Sequence, residues 1–89
     1  MNIDYTKCPA KYMIHGLQLY IERGIKPGSF LQAVLANDFA KAVTRADSVN
    51  LMLLREWAIF MLNEMPDECW GSWETVECWK GVDTCSDSV

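Results

Sequence analysis

Apolar and polar positions show no regular spacing over residues 1–7, which read as a lead-in, and a helical rhythm sets in after Cys8-Pro9. Proline is tolerated in a first helical turn, where its missing N–H has no intrahelical partner to lose. From Pro9, Met13 or Ile14, Leu17, Tyr20 and Ile21 recur at the three-and-four spacing that puts side chains on one face. Gly24 should end this helix in a left-handed cap, with Ile25 covering the last turn and Pro27 preventing resumption. Gly16, inside the helix, is a weak point worth roughly 1 kcal/mol against alanine.

Ser29-Phe30-Leu31-Gln32 has the form of a capping box, and a second helix is predicted from there to about Arg45. Its apolar face is Leu31, Leu35, Phe39, Ala42 and Ala46, widened by Val34 and Val43, with Asn37, Lys41 and Thr44 pointing away. Asp47 or Ser48 caps a third helix that carries Leu51, Leu54, Ala58, Met61, Leu62 and Met65 toward the core until Pro66 stops it. Leu53, Trp57 and Phe60 spread apolar surface around much of that helix, which predicts either a central position or a second contact with a partner. Residues 66–71 form a turn-rich loop, after which Ser72 caps a short helix to about Lys80 with Trp73, Val76 and Trp79 on one face and Gly81 as its stop.

The predicted architecture is all-α: a compact bundle of three main helices plus a short C-terminal one, a single domain over residues 1–81 with 82–89 as a frayed tail. Leu17, Ile21, Leu31, Leu35, Phe39, Leu54, Ala58, Met61 and Leu62 are expected at its centre. With 89 residues there is room for one domain only.

Charge changes the picture more than composition does. The net charge of −4 conceals an asymmetry. Through Arg45 the cations Lys7, Lys11, Arg23, Lys26, Lys41 and Arg45 outnumber Asp4, Glu22 and Asp38; from Ala46 onward only Arg55 and Lys80 face Asp47, Glu56, Glu64, Asp67, Glu68, Glu74, Glu77, Asp83 and Asp87. The acidic second half repels phosphate backbones and attracts basic partners, which disfavours nucleic acid. The most apolar stretch, Leu51 to Leu62, is interrupted by Arg55 and Glu56 and falls short of the ~20 apolar residues of a membrane span. Nothing near Met1 has the basic and apolar regions of a secretory leader, so a cytoplasmic protein with reduced Cys8, Cys69, Cys78 and Cys85 is expected. The cysteines also lack the short spacing of zinc sites, so no metal is expected.

The run Tyr20-Ile21-Glu22-Arg23-Gly24-Ile25-Lys26-Pro27-Gly28-Ser29-Phe30-Leu31-Gln32-Ala33-Val34-Leu35-Ala36-Asn37-Asp38 resembles a family of small phage and prophage proteins. The resemblance continues through Arg45-Ala46-Asp47, Asn50, Asn63-Glu64-Met65-Pro66 and Cys69-Trp70-Gly71-Ser72. It implies an accessory protein made inside an infected bacterium and raises the expectation of interference with a host system. It brings no catalytic or binding residues with it.

Three groups of residues bear on function. Cys8 and His15 are the most enzyme-like pair, but two helical turns would separate them by roughly 10 Å, too far to hydrogen-bond, so no catalytic centre is expected. Asn37, Asp38, Lys41 and Arg45, with Asp47 and Asn50 beyond them, form a polar cluster able to hold a phosphorylated or polar ligand, although capping and an exposed ion pair explain the same residues. Pro27-Gly28-Ser29 resembles an anion-binding turn but lacks the rest of a phosphate loop. Finally, Trp70, Trp73 and Trp79 interleave with Asp67, Glu68, Glu74 and Glu77, a combination suited to docking on a basic protein surface, with packing of the indoles into the core as the competing reading.

The leading expectation is therefore a non-catalytic binding protein that inhibits or redirects a host protein, defence components included, through Trp70, Trp73, Glu74, Glu77 and Trp79, with no cofactor. The alternative is a small-ligand binder, for nucleotide-like molecules, with Asn37, Asp38, Lys41 and Arg45 lining a pocket between protomers. The breadth of the third helix's apolar surface leaves room for a homo-oligomer.

Overall fold

The computed structural model describes residues 3–82, and among them there are helices and no strands. After short 3₁₀ turns at Tyr5–Lys7 and Lys11–Met13 come α1 (Ile14–Arg23), α2 (Ser29–Leu35), α3 (Phe39–Arg45), α4 (Ser48–Met52) and α5 (Leu54–Glu64), then a 3₁₀ turn at Asp67–Cys69 and α6 (Trp73–Cys78). None of these helices is long and apolar enough to cross a membrane. Apart from Val82, whose side chain packs on the core, the expected frayed tail lies outside the described residues.

Local chemistry sets several ends where the sequence puts them. Gly24 is left-handed (φ 71°), and its N–H closes on the Tyr20 carbonyl at 2.9 Å. Asp47 caps α4 by accepting from the Asn50 N–H at 2.7 Å, and Ser72 caps α6 by accepting from Thr75. Other ends differ. α1 begins at Ile14 rather than Pro9, because the preceding residues are used in 3₁₀ turns. Ser29 is the first residue of α2 and not its cap; the Gln32 amide instead donates to the Pro27 carbonyl at 2.7 Å, so the capping box does not form.

The predicted second and third helices are each broken. At Asn37 the backbone turns left-handed (φ 59°), with Asn37 N–H donating to Val34 and Asp38 N–H to Ala33, a Schellman ending that asparagine tolerates well. Asp38 then caps α3 through the Lys41 N–H. The third helix breaks at Leu53, whose N–H bonds back to Asn50. Asn50 is itself 2% exposed, donating from its amide to the Tyr12 hydroxyl and accepting the Trp57 indole N–H, both at 2.9 Å.

The core holds Leu17, Ile21, Leu31, Leu35 and Met61, as the helical pattern predicts, together with Tyr20, Trp57, Cys69 and Val76. Trp57 meets Phe30 and Phe60 edge-on at 6.1 Å each, a favourable arrangement for aromatic quadrupoles. Three residues expected at the centre are not there: Phe39 (75% exposed), Leu62 (73%) and Ala58 lie in water, and Leu54 is only half-buried. The break at Asn37–Asp38 rotates Phe39 out of the α2 stripe, and the large Trp57 and Phe60 occupy the inward side of α5 that Ala58 and Leu62 were to fill.

Candidate functional site

Folding brings together the two groups of candidate residues that lie far apart in sequence. The Trp73 indole N–H donates to Asp38 Oδ2 at 2.8 Å, while Lys41 Nζ and the Arg45 guanidinium sit over the Trp73 ring at 5.3 and 5.9 Å from its centroid. Cations at this range are attracted to the negative face of an indole. The Trp73 hydrogen bond, with the Lys41 N–H and the two nearby cations, holds the Asp38 carboxyl below the usual carboxylate range. Both Asp38 oxygens are thus engaged, one by the α3 cap and one by Trp73.

The acidic aromatic segment is divided between inside and outside. Trp79 is buried (8% exposed) and gives its indole N–H to the Tyr20 carbonyl at 2.8 Å, so its ring is a core residue and not a free anchor. Trp73 is half-buried under its cations, and Trp70 is half-buried with an indole N–H that is sealed from solvent and has no hydrogen-bond partner. Glu74 and Glu77 remain in water with Asp67 and Glu68. A polar hollow of about 270 Å³ bounded by Glu68, Glu74, Thr75, Cys78 and Trp79 lies on this acidic edge.

A larger concavity lies elsewhere and is mainly apolar. A groove of about 440 Å³ runs between the α2–α3 corner and α5. Ala33, Ala42, Trp57 and Met61, all buried, form its floor; Phe39 and Asp38 stand on one wall, Leu54, Arg55, Ala58 and Leu62 on the other, and Trp70 also borders it. Asn37 and Asp38 of the polar cluster reach this groove, whereas Lys41 and Arg45 do not line it. Lys41 and Arg45 instead lie over the Trp73 ring, which Asp38 also holds.

Residue spacing did not reveal the groove, because Phe39, Ala58 and Leu62 carry the same periodic signal as buried positions. On the α5 wheel Ala58, Leu62 and Arg55 fall within roughly 60° of one another, turned away from Trp57 and Phe60.

Neither buried thiol is activated by its surroundings. Cys8 is buried, donating its thiol to the Ala10 carbonyl, and burial raises its pKa. Burial, with Glu68 nearby, pushes the Cys69 thiol up to about 12. A thiol needs its thiolate form to attack, so both are chemically quiet. His15 is exposed. Among the described residues no three His, Cys, Asp or Glu side chains are grouped to hold a metal.

Compared with protein-family models, curated proteins and solved structures, the chain matches none.

Proposed function

We propose that this protein acts without catalysis, as an accessory factor that takes an apolar helical segment of a partner protein into the groove between α3 and α5. The observation that carries this reading is that Phe39, Ala58 and Leu62 follow a core-forming pattern in sequence, remain exposed in the folded chain, and all line one groove. Leaving apolar side chains in water forgoes on the order of 25 cal/mol for every Å² that a partner would cover. Helices that bind in grooves use this arrangement of a pre-formed apolar floor with large side chains at the lips.

The exposed carboxylates Asp67, Glu68, Glu74 and Glu77 favour a partner whose wider surface is basic, by steering its approach rather than by anchoring it. In the setting implied by the phage resemblance, the partner is a host protein, a defence component among the candidates, whose own contacts the groove replaces.

Affinity purification from a bacterial host with the natural chain and with Phe39→Asp/Leu62→Asp tests this. Proteins retained by the natural chain should be lost from the groove variant, while Glu74→Lys/Glu77→Lys should slow association and weaken its salt dependence. Recovery of the same proteins by the groove variant, with its helicity intact, would overturn the reading.

A further inference from the structure

Two charged side chains line the groove, and they are not equivalent. Asp38 is spent: one oxygen caps α3 and the other accepts the Trp73 indole N–H. Arg55 is exposed and, among the described residues, has no ion pair or hydrogen bond through its guanidinium. A guanidinium beside apolar surface is well suited to receive a carboxylate in a two-pronged contact, and arginine is enriched among residues that dominate interfaces.

On this basis we infer that the occupant of the groove is an acidic amphipathic helix: large apolar side chains at three-and-four spacing for the floor and lips, and an aspartate or glutamate at the flank that meets Arg55. The inference rests on the protein-binding reading and specifies its chemistry. Three alternatives fit less well. A small apolar acid would fill the hollow but cover less of the lips, Phe39 and Leu62, now 75% and 73% exposed, than a helix lying along the groove would. A second copy of this chain, presenting the same face, would bring another Arg55 and, among the groove-lining residues, only the Asp38 carboxylate that is already bonded. A basic helix would set its cations against Arg55, although it would suit the acidic edge on α6.

A displayed random-peptide library selected on the full chain, with counter-selection on Phe39→Asp, tests the inference directly. Enriched peptides should carry apolar residues at helical spacing flanked by Asp or Glu. Arg55→Glu should bind representative synthetic peptides roughly tenfold more weakly and select Lys or Arg in place of the carboxylate. Peptides that depend on Phe39 but show no acidic bias, or that bind Arg55→Glu equally well, would overturn the acidic-helix inference and leave the protein-binding reading standing. Absence of any Phe39-dependent peptide would overturn both, as would a concentration-dependent dimer in sedimentation that Phe39→Asp dissociates and that blocks peptide binding. Unchanged circular dichroism of both variants shows that the effects arise at the groove.

Discussion

Gly24 and Gly81 together permit a close backbone crossing, in which Gly24 packs on Lys80 and Gly81 on Arg23 at the end of α1. A Cβ on Gly24 would lie 2.5 Å from the Lys80 carbonyl carbon, and one on Gly81 would lie 2.6 Å from Arg23 Cα. Both glycines have positive φ, 71° and 94°. This close crossing holds Trp79 against Tyr20, whose carbonyl accepts both the Gly24 N–H and the Trp79 indole N–H and whose hydroxyl donates to the Cys69 carbonyl at 2.6 Å.

Gly24→Ala or Gly81→Ala should each cost about 2 kcal/mol, because a left-handed backbone and a backbone overlap add together. In a domain of this size that lowers Tm by roughly 10 °C. Thermal melts followed by circular dichroism check the size of the effect, and a red shift of tryptophan emission would report Trp79 leaving the core. A melting point within a degree of the natural chain would show that the two segments separate at little cost.

Asn50→Ala should destabilise the fold by about 2–3 kcal/mol, since it strands the buried Trp57 indole N–H without an acceptor. Trp57→Phe removes that donor, so Asn50→Ala should cost less in its presence. A double-mutant cycle in urea measures the coupling, and additive losses would mean that the bond contributes nothing specific.

Acid should weaken the fold through Asp38 and Asp47. Asp47 is held below the normal carboxylate range by the Asn50 N–H and the Tyr12 hydroxyl, as Asp38 is by Trp73. Between the depressed folded pKa values and the ordinary unfolded value near about 4, the unfolded chain binds more protons than the folded one, so stability present above that pH is lost as it falls. Asp38→Asn and Asp47→Asn should each flatten the acid limb of a plot of denaturation midpoint against pH; an unaltered limb would place its origin in other carboxylates.

Phe39→Ser and Leu62→Ser should change stability by no more than about 0.5 kcal/mol, as surface substitutions do, whereas Phe60→Ala should cost about 3–5 kcal/mol. Phe60 is 3% exposed and packs on Trp57, while Phe39 is 75% exposed. Urea denaturation separates the two classes, and a large loss at Phe39 would mean that its ring supports the monomer.

Short-range chemistry was legible along the chain. A glycine after α1, aspartate before α4, proline after α5 and serine before α6 each act on backbone groups within a few residues, so their effect does not wait for a fold. The all-α class and the buried Leu17, Ile21, Leu31, Leu35 and Met61 follow from periodicity for the same reason. The breaks at Asn37–Asp38 and Leu53 were not legible, because they accompany bonds made across long separations: Asp38 with Trp73, and Asn50 with Tyr12. Nor could spacing distinguish Trp57, which is buried, from Phe39, which is not, since periodicity reports that a face is apolar without saying what covers it. Only the packed chain shows where the helices run out of partners, and that shortage leaves the groove open between α3 and α5.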